Sequence, residues 1–216
     1  MIRIGIELNH VVRNINKQIL KYYQKDIDPS LDLEDIDEKD DAFKYAKFET
    51  LTDKNEFIYI DYPYEIFGCA KTMTKDIPML MNNWLSELTN YEDDEVEISF
   101  FSLNEDSLTI QSTYFFLSKI GTRVRKIVFP KKFEDIKNDY DVVITGNNKL
   151  INEYLKGNKN IYTILISNRT TKENENEESV NAIYDSLETV IKDETLLDNL
   201  HKFVNDKKDL KDGETD

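Results

Sequence analysis

The chain has 216 residues, 39% of them hydrophobic and 11% aromatic, which is enough for one folded domain with a core and argues against disorder. Its 43 Asp and Glu outweigh 28 Lys and Arg to leave a net charge of −15, a field that repels nucleic acid and anionic membranes and suits a solvated surface or a basic protein partner. A single cysteine, Cys69, excludes an internal disulfide and, with only His10 and His201, argues against a His/Cys zinc site, so a reducing, cytosol-like compartment is expected.

The first apolar run, Ile2 to Ile6, reads as a strand that ends in Glu7, with Asn9 two positions later. Met1-Ile-Arg leads straight into it, so no signal peptide is expected, and no window holds the roughly 20 apolar residues of a membrane span. Val12, Ile15, Ile19 and Tyr22 then form one stripe, predicting a helix over Val11 to Tyr23. Residues 24 to 68 interrupt the alternation. Asp26 to Asp41 is dense in acids without the glycine and spacing of a calcium loop, and Phe43 to Gly68 is aromatic without a parallel-strand run. The whole is expected to be an insertion packed over the first crossover, either a lid or an interaction surface.

A helix follows over Lys75 to Leu88, with Pro78 near its start and Met81, Trp84, Leu85 and Leu88 on one face. Val96 to Phe101, Val124 to Phe129, Asp141 to Thr145 and Ile161 to Ile166 read as further strands, nearly continuous apolar runs of the kind covered on both faces. Ser107 to Ile120 and Asn147 to Leu155 supply crossovers. After a polar stretch, Thr170 to Glu178, the apolar residues Val180, Ile183, Tyr184, Leu187, Val190, Ile191, Leu197, Leu200 and Val204 fall at steps of three and four. They predict one long helix over 176–204 that packs on the sheet or on a partner helix. Residues 206–216 are charged and expected to fray. The pattern is that of a single α/β domain over 1–205, a three-layer Rossmann-like parallel sheet of about five strands, with ligands expected beyond the strand carboxyl ends.

In order, these landmarks resemble the haloacid dehalogenase-like superfamily over roughly residues 1 to 168, most closely its 5'(3')-deoxyribonucleotidase-like and phage-encoded members. Arg3-Ile-Gly-Ile-Glu-Leu-Asn stands at the first motif, where the family has two aspartates. Glu97-Ile-Ser-Phe-Phe-Ser102 resembles the second, Lys131 and Lys132 the third, and Tyr140 to Ile151 the fourth, which usually ends its strand in acids. Tyr62-Pro-Tyr-Glu-Ile-Phe-Gly68 is similar to a segment of phage-encoded relatives. The resemblance implies phosphoryl transfer to an aspartate with magnesium and a second acid.

The residues of this chain depart from that chemistry at three places. Glu7 stands for the nucleophile, with a carboxylate displaced by about 1 Å. Asn9 cannot act as the general acid and base, a role worth ~10²–10⁴. Thr145-Gly146-Asn147 replaces the metal-binding acids, and Asp141 lies about 13 Å back along its strand. The expected site is therefore vestigial, comprising Glu7, Asn9, Ser102, Lys132 and Thr145, with Glu7 and Asn9 hydrogen-bonded to each other and Asn9 or Asn14 capping a helix. His10 is expected to be exposed or bonded to backbone.

The expectation is a non-catalytic protein without cofactor or metal, Glu7 being the one ligand if any, that acts through other proteins. Kinship and AT-rich composition point to a phage virion or its assembly, hence to the infected bacterial cytoplasm or the particle. The alternatives are a weak magnesium-dependent phosphatase or 5'-nucleotidase and a phosphate or nucleotide sensor. No direct nucleic-acid or membrane contact is expected, and the sequence is silent on oligomeric state.

Overall fold

A computed structural model of the chain describes residues 1–37, 41–89, 96–167 and 180–212, with side chains described up to 206. The elements in chain order are β1 (Ile2–Glu7), β2 (Arg13–Asn14), α1 (Ile15–Asp26), α2 (Leu51–Glu56), β3 (Lys71–Thr72), α3 (Ile77–Thr89), β4 (Val96–Phe101), α4 (Ser107–Ile120), β5 (Lys126–Val128), β6 (Val142–Thr145), α5 (Asn148–Leu150), β7 (Tyr162–Ile166), β8 (Ala182–Tyr184), α6 (Leu187–Ile191) and α7 (Leu196–Asp212).

Six strands form one sheet in the order β5-β4-β1-β6-β7-β8, every pairing parallel. The helices flank it in a Rossmann-like three-layer arrangement. β1 is central because Ile2, Ile4 and Ile6 face one core while its neighbours cover both edges; all three isoleucines are buried. On one face they join Met81, Trp84, Phe100, Phe116, Leu187 and Leu200. The other face packs Phe101, Phe133, Tyr140, Val143 and Leu165. Gly5 of β1 lies under the Tyr140 ring, where a Cβ would come within 2.9 Å of three ring carbons.

The insertion forms a third core against the outside of α1. Ile19, Leu20 and Tyr23 meet Ala42, Ala46, Phe57, Ile58, Ile66 and Phe67. α2 begins at Thr50 in a capping box with Asp53, and two wide turns with i→i+5 bonds follow, Phe57–Asp61 and Tyr64–Gly68. Within the acidic stretch, Asp28 accepts from the backbone of Ser30 and Asp32 from that of Glu34, local turns of the kind short acids favour. Residues 38–40 of that stretch lie outside the described residues.

Three expectations need correction. The first helix begins at Ile15 rather than Val11. Residues 8–12 form a turn in which the Leu8 carbonyl accepts from Val12 and Arg13, His10 takes a left-handed φ of 68°, and Asn14, not Asn9, caps the helix by accepting from Lys17.

The long helix expected over 176–204 is three elements instead. Residues 176–179 and the polar Thr170 to Glu178 lie outside the described residues. Beyond them, β8 pairs with the edge of β7, Ile164 against Ala182, satisfying backbone groups that a helix would leave open. Ser186 then caps α6, and an Asp193 turn separates it from α7. Of the expected stripe, Leu187, Val190, Leu200 and Val204 are buried across two successive helices, Leu196 is buried rather than Leu197, and Ile183 is 38% exposed.

The tail expected to fray from 206 continues α7 to Asp212. The fourth crossover also winds as α5 followed by a wide turn, Ile151–Leu155, closed by Lys156 N–H to the Ile151 carbonyl at 2.8 Å.

Candidate functional site

β1, β4 and β6 are adjacent, so their carboxyl ends bring Glu7, Ser102 and Thr145 to one rim of the sheet. A cavity of about 210 Å³ opens there, with Glu7, Asn9, His10 and Asn147 on its floor. Phe43, Lys54, Ile58 and Tyr59 of the insertion close over it. Residues of the insertion thus form part of the wall of the strand-end cavity.

Glu7 and Asn9 do not bond to each other as expected, because the chain turns sharply between them and aims them into two networks. Glu7 is 3% exposed. One of its oxygens accepts from the Thr145 hydroxyl in a short hydrogen bond and the other from Asn147 Nδ2 at 3.4 Å. Burial raises its pKa to about 7, against the opposing pull of the hydrogen bonds from Thr145, Asn147 and the Gly146 backbone. Thr145 also accepts from the Asn147 backbone at 3.0 Å, and Asn147 Oδ1 caps α5 by accepting from Leu150 at 3.2 Å.

Asn9 belongs to the second network, whose centre is Arg13. Arg13 and Glu105 form an ion pair at 2.5 Å with both side chains 0% exposed. The guanidinium donates through Nε and Nη2 to Asn9 Oδ1 at 2.9 and 2.7 Å, and through Nη1 to Thr113 at 2.5 Å and the Phe67 carbonyl at 3.3 Å. Glu105 accepts from Ser102 and Thr113, both at 2.5 Å, and Asn9 Nδ2 donates to Ser102 at 3.2 Å. The Phe67 and Phe116 rings lie 5.0 and 5.4 Å from the guanidinium carbon. Burial pulls the Arg13 pKa below its ordinary value while Glu105 works to raise it. Five guanidinium donors and the two carboxylate oxygens all find partners, the condition for tolerating a buried ion pair.

The remaining candidates separate. Lys132 is exposed, and its backbone N–H donates to Asp135 at 3.1 Å. Its neighbour Lys131 instead reaches inward, with Nζ 3.4 Å from the Glu105 carbonyl. His10 is half-buried beside Gly146, where a Cβ would meet the His10 Cβ at 3.0 Å; burial lowers its pKa. Lys54, which stands in no motif of the sequence, places Nζ 3.2 Å from the centre of the Phe43 ring. Burial lowers its pKa as well.

The donor set at the rim does not fit magnesium, which usually takes one or two carboxylates with free oxygens. Glu7 supplies one carboxyl, both of whose oxygens already accept hydrogen bonds. Among the described residues, no three His, Cys, Asp or Glu side chains converge as a metal site. No helix among them is long and apolar enough to cross a membrane.

No family model matches the chain, and no curated protein matches it.

Proposed function

We propose that this chain is a non-catalytic, haloacid dehalogenase-like protein that works by binding other proteins, as a component of a phage particle or of its assembly. One observation carries the non-catalytic half: the groups standing at the acid/base and second-motif positions are consumed by a structural ion pair. Arg13 donates to the Asn9 Oδ1, Asn9 Nδ2 donates to the Ser102 hydroxyl, and that hydroxyl donates to Glu105. Neither can turn to a substrate without breaking a hydrogen bond to a buried charged group. Glu7 adds to this, since a carboxyl with a pKa of about 7 is half protonated at neutrality and hydrogen-bonded on both oxygens. Kinship with the family is supported by a central β1 flanked by β4 and β6, whose ends carry the motif positions. The phage assignment rests on the likeness to phage-encoded members and on composition.

Purified protein is expected to show no magnesium-dependent hydrolysis of p-nitrophenyl phosphate or nucleoside monophosphates, and to co-fractionate with particles or their precursors. Metal-dependent turnover that disappears in Glu7→Ala refutes the non-catalytic half. A gene lying among nucleotide-metabolism genes rather than capsid and tail genes refutes the particle half.

Lys54 favours a second function, a phosphate or nucleotide sensor, because it is a cation held over the strand-end cavity. Such a sensor gains ~2.7 kcal/mol of stability at 100 times the dissociation constant. A thermal shift with inorganic phosphate or a nucleoside monophosphate that vanishes in Lys54→Met identifies it; a flat response rejects it.

A further inference from the structure

We propose that the outer face of α4 is an interface through which two copies of this chain pair about a twofold axis, with their α4 helices antiparallel. This pairing is independent of whether the strand-end site turns over substrate.

In a chain of which 33% is charged, the 14 residues of α4 include one charged side chain, Lys119. Lys119 is itself exposed, with its Nζ held by the Gly68 and Ala70 carbonyls at 3.0 and 2.8 Å. The helix also departs from the usual amphipathic order in being apolar on both sides. The buried side holds Thr109, Ser112, Thr113 and Phe116, with Thr113 serving the Arg13 and Glu105 network. Phe116 is buried and Leu117 and Ile120 pack on the core, yet three further apolar side chains point out: Leu108 is 49%, Tyr114 53% and Phe115 44% exposed. Gln111 and Ser118, both exposed and uncharged, fill the strip between them.

The two aromatic rings are already positioned by the monomer. Phe115 packs on Tyr64 at 5.1 Å between centroids, and Tyr114 on Phe129 at 5.7 Å. Presenting them therefore costs little further side-chain ordering on association. A contiguous exposed apolar strip of this kind marks a contact surface.

Charge at the two ends of the strip selects the occupant. Asp106, exposed, caps the start of α4, whereas Arg123 and Arg125, also exposed, follow its terminal Gly121. An antiparallel twofold pairing sets Asp106 of each copy beside Arg123 and Arg125 of the other and opposes the two helix dipoles, so each favourable contact occurs twice. A parallel pairing brings like charges together at both ends. The net charge of −15 repels two copies elsewhere, and an uncharged strip is where they approach at least cost, with that repulsion screened beyond about 8 Å at physiological salt.

Sedimentation or light scattering of the full chain tests the pairing. The expected species has about twice the 25.5 kDa chain mass. Tyr114→Ser with Phe115→Ser is expected to weaken association at least about tenfold, equivalent to ~1.4 kcal/mol, while leaving the circular dichroism spectrum unchanged. Geometry is tested in a Cys69→Ser background. From a helical rise of 1.5 Å, copies of Gln111→Cys lie about 6 Å apart along the axis and copies of Leu108→Cys or Ser118→Cys about 15 Å apart. Gln111→Cys alone should cross-link efficiently. A wild-type chain that stays monomeric up to about 1 mM, a dimer indifferent to the Tyr114 and Phe115 changes, or preferential cross-linking at the ends of the strip overturns the proposal. So does a strip that binds only a different protein.

Discussion

Replacing Glu105 with glutamine removes one negative charge from the interior and almost no volume, so it isolates what the carboxylate does for Arg13. In the wild type, Glu105 accepts three hydrogen bonds, from Arg13 Nη2, Ser102 and Thr113, each at 2.5 Å. A glutamine amide keeps one oxygen and turns the other acceptor into a donor. At least one of those three donors then faces an N–H, and the guanidinium keeps its charge with no counter-ion at 0% exposure. Breaking a buried pair from one side costs about 3–5 kcal/mol. Out of a total stability of about 5–15 kcal/mol, that is a large share. For a chain of this length each kcal/mol moves the midpoint by roughly 2–4 °C, so the variant should melt about 6–20 °C lower. Urea denaturation at pH 7 measures the loss directly. A double-mutant cycle with Arg13→Met supplies the control, because removing both charges should cost less than the sum of the single changes by about 0.5–3 kcal/mol. A Glu105→Gln loss below about 1 kcal/mol, in the range of an exposed pair, refutes the view that this network holds Asn9 and Ser102 in place.

Glu7→Gln tests the raised carboxyl pKa through stability against pH. A folded pKa of about 7 above an ordinary 4.5 means that the folded state holds a proton the unfolded chain releases. Wild-type stability from this group is complete below the unfolded value and lost as pH rises through 7, approaching ~3 kcal/mol. The advantage of Glu7→Gln over wild type should therefore grow between pH 4.5 and 8; a pH-independent difference in urea midpoints removes the basis for it. Gly5→Ala drives a methyl group into the Tyr140 ring, which stands 2.9 Å from the new Cβ. A loss of about 1–3 kcal/mol is expected, and restoration by Gly5→Ala with Tyr140→Leu distinguishes ring overlap from a backbone effect. Asn14→Ala removes the hydrogen bond to Lys17 N–H at 3.2 Å and should cost about 1 kcal/mol; unchanged thermal unfolding shows that the cap contributes nothing.

The layered fold and the place of its rim follow from the apolar pattern of the chain. β1, β4, β6 and β7 are legible because strands covered on both faces have to be apolar along their whole length, which leaves few alternatives to a central parallel sheet. α4 matches its expected bounds, Ser107 to Ile120, since an Asp106 cap and a left-handed Gly121 mark its ends. β8 was illegible for the complementary reason. Its three residues lie at a sheet edge and are not fully buried, and their spacing fits a helix equally well until β7 offers backbone partners.

Glu7 could be located as the carboxylate at the end of the first strand, but not its partners. Arg13 stands in no motif of the sequence, and its four-residue spacing from Asn9 is the one local signal of the contact. Glu105 and Thr113 join it from 92 and 100 residues away, where periodicity and motif spacing carry no information. Tertiary structure alone decided that these groups neutralise one another inside the protein, because an ion pair can be buried only where every donor and acceptor meets a partner, and those partners come from separate segments of the chain.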